Sequence, residues 1–162
     1  HHVAASQQLV DSNLEIIPTA YLLLDGGRLS SVEKYSGTLP LSQKNPEIIF
    51  HTSLAGKLLG LQLTYLDAGS GAKKHVPREV ISELKNLDTP IIIGGGISSI
   101  ESINELHNAG ANIVVIGNKI EEDTDFFVSA TSNIISSSFN HLKKIISNPL
   151  HFKTLEIRIK LD

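Results

Sequence analysis

The chain has 162 residues, 41% of them hydrophobic and 19% charged, and a formal net charge of -3. Such a composition belongs to one ordinary globular domain: it excludes a disordered tail, a collagen-like repeat and a coiled coil, and it gives no basic footprint for nucleic acid. No apolar run reaches the roughly 18 to 20 residues that span a bilayer, and no N-terminal stretch has the charge and hydropathy of a leader, so a cytoplasmic location is expected.

In chain order, Val3 to Leu14 runs toward the first strand as a helix and turn would. Glu15 to Asp25 is a nearly continuous apolar run closed by Gly26-Gly27, which predicts a strand. A loop rich in Ser, Gly and Pro leads to Pro46. From Glu47 to Leu59, helical spacing places Ile48, His51, Ala55, Leu58 and Leu59 on one side with Gly60 at the C-cap, predicting an amphipathic helix. A second strand is predicted over Leu61 to Asp67, closed by Gly69-Ser70-Gly71, then a helix from Pro77 to Leu87 with Pro in its first turn. The third strand is Pro90 to Ile93 before Gly94-Gly95-Gly96, and its helix starts from the Ser98-Ser99 cap and runs toward Gly110. The fourth strand is Asn112 to Ile116 before Gly117-Asn118, followed by a helix from Thr124 to Ile135.

Alternating strands and helices imply an α/β fold with a parallel sheet, either doubly wound or closed into a barrel. Each strand ends in a glycine-bearing loop, which favours the TIM (β/α)8 barrel, whose active face is built from those loops. A full barrel needs eight units and about 200 to 250 residues; four units are present. Residues 1–135 therefore read as the C-terminal half of a phosphate-binding TIM barrel. Residues 136–162 read as an extension of unknown role, with a basic stretch from His141 to Lys144 and an alternating, strand-like run from Leu155 to Leu161.

The absence of Cys leaves chemistry to carboxylates, His, hydroxyls and backbone amides. The turns Gly69-Ser70-Gly71, Gly94-Gly95-Gly96 and Gly117-Asn118 could present backbone N–H groups to one phosphate monoester, with the Ser70 hydroxyl beside them. Singly, each is ordinary turn chemistry. Tyr65 and Asp67 lie two apart on one strand and share a face, where they could orient a hydroxyl and accept its proton; equally, Asp67 reads as a turn cap and Tyr65 as barrel filling. Tyr21 and Asp25 are a weaker pair of the same kind. Lys73 and Lys74 read as a solvated loop pair, and the seven His residues show no metal-ligand spacing, so His51, His75 and His107 read as surface or satisfied groups.

The runs Glu15-Ile16-Ile17-Pro18-Thr19-Ala20-Tyr21, Tyr65-Leu66-Asp67-Ala68-Gly69-Ser70-Gly71-Ala72, Gly94-Gly95-Gly96-Ile97 and Gly117-Asn118 resemble the geranylgeranylglyceryl phosphate synthase family, which includes the heptaprenylglyceryl phosphate synthases. The resemblance covers about residues 1–135. It implies a prenyltransferase that joins a polyprenyl diphosphate, geranylgeranyl in the first instance, to the sn-3 hydroxyl of sn-glycerol 1-phosphate, with Mg²⁺ as cofactor, to form an ether lipid precursor. Carried over by position, Tyr65, Leu66, Asp67, Ala68, Gly69, Ser70 and Gly71 would hold glycerol 1-phosphate, with Asp67 and Tyr65 at its hydroxyl, and Gly94, Gly95, Gly96, Gly117 and Asn118 would hold its phosphate. Tyr21 and Asp25 are additional candidates. Many members of that family carry Glu where this chain has Asp67. The family's metal-binding carboxylates lie upstream of any residue here, so no metal ligand is expected in the chain. With no Met and a start at His1-His2-Val3, the sequence reads as a processed, tagged or partial product. A half-barrel exposes strand edges and an apolar interior, so a homo-oligomer is expected. The other readings are a sugar-phosphate isomerase or aldolase type of barrel, and a non-catalytic half-barrel.

Overall fold

The computed structural model describes residues 17–27, 37 and 39–132. The helix expected over Val3 to Leu14, the Glu15-Ile16 start of the first strand, the end of the helix expected to reach Ile135 and the whole extension from Ser136 lie outside the described residues. Strands and helices alternate as β1 (Thr19–Leu23), α1 (Pro46–Leu58), β2 (Leu63–Asp67), α2 (Arg78–Leu84) with a 3-10 turn at Lys85–Leu87, β3 (Ile91–Gly94), α3 (Ile100–Ala109), β4 (Ile113–Val115) and α4 (Asn118–Glu122). Residues 124–132 are again helical, as α5. No helix among the described residues is long and apolar enough to cross a membrane.

The strands form one parallel sheet in the order β1-β2-β3-β4. Because side chains alternate along a strand, one set of residues faces the helices and the next faces away. Ala20, Leu22, Leu66, Ile91 and Ile93 are buried in a single core with Ile49 of α1, Val80, Ile81 and Leu84 of α2, and Ile103 and Leu106 of α3. Burying each large aliphatic side chain contributes about 1.5–3 kcal/mol, so this face holds the fold together. On the other face Leu63, Tyr65, Ile92, Ile113 and Val115 are only half-buried and Tyr21 is exposed. On β1 itself Ala20 and Leu22 are buried on the helix side, while on the other side Tyr21 is exposed and Leu23 is buried.

Three local readings change. The apolar side expected to dock α1 points outward: Ile48 is 48% exposed, Leu58 78% and Leu59 82%, whereas the buried residues are Ile49, Ser53 and Gly56. The reason is close packing of α1 on β1, since a Cβ at Gly56 would lie 3.0 Å from the Cβ of Ala20. Small residues serve that contact better than leucines. The helix expected from Pro77 to Leu87 breaks after Leu84 into the 3-10 turn, with Pro77 as its N-cap and Asp88 in the left-handed conformation at its end. A short helix, α4, precedes the expected one. By contrast, Ser99 caps α3 as expected, in a reciprocal capping box completed by Ser102.

Candidate functional site

In a parallel βα sheet the loops after the strands converge, and here the strand ends are level. Leu23 lies beside Asp67, Asp67 beside Gly94, and Gly94 beside Val115. Tyr21 lies beside Tyr65 in the same register. These pairings bring Tyr21, Tyr65 and Asp67 together on the open face. The Tyr21 hydroxyl donates to Asp67 Oδ2 at 2.5 Å, and the two tyrosine rings meet edge to face with centroids 5.3 Å apart. Asp67 Oδ1 accepts the Gly69 N–H at 2.8 Å. The carboxylate is therefore both a turn cap and a group aimed at the open face, and with about four acceptor positions it keeps capacity for a ligand hydroxyl.

Burial first, and then the Asp67 charge, push the Tyr65 phenol up to about 12. Burial also leads the upward shift of Tyr21, reinforced by its hydrogen bond to Asp67 and by the charge of that carboxylate. Both phenols stay protonated near neutral pH, and that of Tyr21 donates to Asp67. Tyr65 packs directly on Gly94, where a Cβ would collide with the phenol oxygen and lie 2.9 Å from Cε2.

The turns interlock. A Cβ at Gly95 would come within 2.9 Å of the Gly69 carbonyl oxygen, and one at Gly27 within 2.6 Å of the Gly69 carbonyl carbon, so neither position admits a side chain. Gly96 sits at φ +69°, with the Lys74–His75 peptide where its Cβ would be. The backbone N–H groups of Ser70, Gly71, Gly95 and Gly96 have no hydrogen-bond partner among the described residues. They are available to an anion. The Gly69 N–H is not, because Asp67 takes it. Gly117 is exposed at the start of α4, with nothing within 4 Å of a Cβ placed there, and Asn118 is exposed beside it.

Other expected site residues lie elsewhere. Asp25 is beyond the end of β1 and does not join Tyr21; its carboxylate accepts from the Gln43 N–H at 2.6 Å and the Ser42 hydroxyl at 2.9 Å, tying the two ends of the β1–α1 connection. The Leu66 side chain faces the helices and is fully buried, as is Ala68, so side-chain contact from either to a ligand on the open face is corrected to a core role. Lys73 and Lys74 are exposed on the loop after the Gly69–Gly71 turn. The Tyr21–Asp67 bond was missed because it joins neighbouring strands; the signal that could have found it is the shared sequence of an aromatic followed by Asp-x-Gly or Asp-Gly at two adjacent strand ends.

Among the described residues no group of three His, Cys, Asp or Glu side chains could hold a metal ion. Asp67 accepts from Gly69 and Tyr21, and Asp25 from Ser42 and Gln43, and neither carboxylate stands in a group of three potential ligands. These residues do not fit a Mg²⁺ site.

A family model described as the PcrB family matches residues 1–135. The chain belongs to the PcrB family. Its relatives within and around that family include the geranylgeranylglyceryl phosphate synthase of Spirosoma linguale, 47% identical over 125 residues, 76% of this chain and 50% of that protein. The protein of the same name from Zunongwangia profunda is 49% identical over 121 residues, 74% of this chain and 52% of its own. The solved structure of (S)-3-O-geranylgeranylglyceryl phosphate synthase from Thermoplasma acidophilum, in complex with substrate sn-glycerol-1-phosphate, matches this PcrB-family chain with a TM-score of 0.71 at 31% identity, over 79% of this chain and 51% of that one. The chain spans about half the length of the relatives it matches. Among the described residues the strand order is consecutive, with no reversal, as in successive units of a TIM barrel. The four βα units are those of a partial TIM barrel.

Proposed function

We propose that this chain carries the glycerol phosphate half of a prenyltransferase that joins a polyprenyl diphosphate, geranylgeranyl in the first instance, to the sn-3 hydroxyl of sn-glycerol 1-phosphate. The observation that carries the reading is the juxtaposition of the Tyr21–Asp67–Tyr65 cluster with the unpartnered N–H groups of Ser70, Gly71, Gly95 and Gly96. A small molecule with a hydroxyl at one end and a phosphate at the other suits that arrangement. The phosphate takes the amides and the exposed Ser70 hydroxyl, with Gly117 and Asn118 approaching from the next strand end. The free hydroxyl takes one of the remaining acceptor positions of Asp67, whose other contacts fix its orientation.

In the transfer, the glycerol oxygen forms a bond to the first carbon of the prenyl chain as that carbon's bond to diphosphate breaks. The hydroxyl proton passes to Asp67, and diphosphate leaves. Asp67 acts as proton acceptor, Tyr21 holds its second oxygen, and Tyr65 walls the hydroxyl against the Gly94 turn. Mg²⁺, which would stabilise the leaving diphosphate, requires carboxylates other than those described. The open sheet face, with Leu63, Ile92, Ile113 and Val115 half-buried, suits a partner surface or an apolar chain.

Calorimetric titration of the chain and of Asp67→Ala with sn-glycerol 1-phosphate and sn-glycerol 3-phosphate tests the reading. Binding of the first enantiomer, weakened about tenfold or more by the substitution, is the expected result. Equal binding of both enantiomers favours a general sugar-phosphate barrel, and no binding removes the reading.

A further inference from the structure

We propose that His75 is a positioning residue for the anion-binding turn, locking Gly94-Gly95-Gly96 in place through a link to Glu105 on α3. The inference rests on the reading that this turn holds the phosphate. The Lys74–His75 peptide lies directly on Gly96: a Cβ there would collide with the Lys74 carbonyl and come within 2.7 Å of the His75 nitrogen. Whatever fixes His75 therefore fixes the floor of the turn.

Two contacts fix it. His75 Nδ1 is 2.9 Å from the carbonyl oxygen of Val76, and a carbonyl can only accept, so Nδ1 carries a proton. The far nitrogen, Nε2, faces the Glu105 carboxylate at 3.6 Å. The His75 side chain is 20% exposed and that of Glu105 is half-exposed.

The link spans three elements. Val76 is fully buried in the core, Glu105 stands on a capped helix that begins at Ile100, a few residues after the Gly94–Gly96 turn, and the loop that leads from β2 into His75 carries the Ser70 and Gly71 amides. The other charged groups nearby in chain are Lys73 and Lys74 on the loop, Arg78, Glu79 and Glu83 on α2, and Glu101 on α3; Arg78, Glu101 and Glu105 line one groove between the two helices. Of these, Glu105 is the group paired with His75.

The test is calorimetric titration of the full chain with sn-glycerol 1-phosphate, using the wild type, His75→Ala, Glu105→Gln, the double variant and His75→Arg. Each single change should weaken binding by about tenfold, the double change no more than the worse single one, and His75→Arg should restore most of the affinity. A merely structural role would lower the melting temperature without rescue by Arg. Wild-type binding left unchanged by the variants, or additive losses in the double variant, would overturn this inference alone. Failure of the wild type to bind would overturn the glycerol phosphate reading and this inference with it. Glu105→Gln, at a half-exposed position, keeps the question decidable where His75→Ala does not fold.

Discussion

At Asp67 one carboxylate does two jobs, capping the Gly69 turn and accepting the Tyr21 phenol. Its negative charge adds to burial in holding the Tyr65 phenol at about 12. Asp67→Asn removes the charge and keeps the shape, so the Tyr65 ionisation followed by ultraviolet absorbance should move down toward the ordinary phenol range of about 10. An unchanged midpoint would assign the whole shift to burial. The same shift makes stability depend on pH. A phenol whose folded value lies above its unfolded one stabilises the fold fully below about pH 10, and that contribution is lost as pH rises through about 12. Denaturant melts across that alkaline window should show the loss, and should show a smaller one in Tyr65→Phe. Gly96→Ala should be the most damaging of the glycine changes, because it adds left-handed strain of about 1–3 kcal/mol to a collision with the Lys74 carbonyl. Tyr65, Asp67 and the glycine turns were legible in the sequence because strand alternation and glycine spacing are local. The Tyr21–Asp67 bond was not, since it depends on register between strands, and Asp25 was paired with Tyr21 for want of that register.

At the scale of elements, α1 shows where a pattern misleads. Its leucines and Ile48 repeat at helical spacing, yet the helix buries Ile49, Ser53 and Gly56, because close approach to Ala20 requires small groups. Ile49→Ala should cost about 2–5 kcal/mol in denaturant melts, whereas Leu58→Ser and Leu59→Ser should stay within about 0.5 kcal/mol. A large loss at Leu59 and none at Ile49 would mean that α1 docks by its other side. The cap of α3 was readable because it is a sequence-local device. Ser99→Ala should lower stability by about 1 kcal/mol. The break after Leu84 was not readable, since it follows from the Leu87 carbonyl accepting the Lys57 ammonium and from burial of Leu87 itself.

At the scale of the molecule, a parallel sheet is ordinarily covered on both faces, and here one face carries the core while the other holds the site and half-buried apolar groups. The sheet order and the alternation of elements were evident from the sequence, because each βα unit is signalled by its own apolar run and closing glycines. What covers the second face was not, because that depends on surfaces beyond the described units. Sedimentation velocity of the 162-residue chain should show association that grows with concentration; a single monomeric species at every concentration would contradict that expectation.

We propose that these four units hold a glycerol phosphate between the Asp67 cluster and the glycine turns. Amide chemical-shift mapping of the chain with sn-glycerol 1-phosphate, against sn-glycerol 3-phosphate, is the decisive test. Shifts confined to Tyr65 to Gly71, Gly94 to Gly96 and Gly117-Asn118 are expected, for the first enantiomer alone. Shifts elsewhere in a well-dispersed spectrum, or the same shifts with either enantiomer, would contradict it.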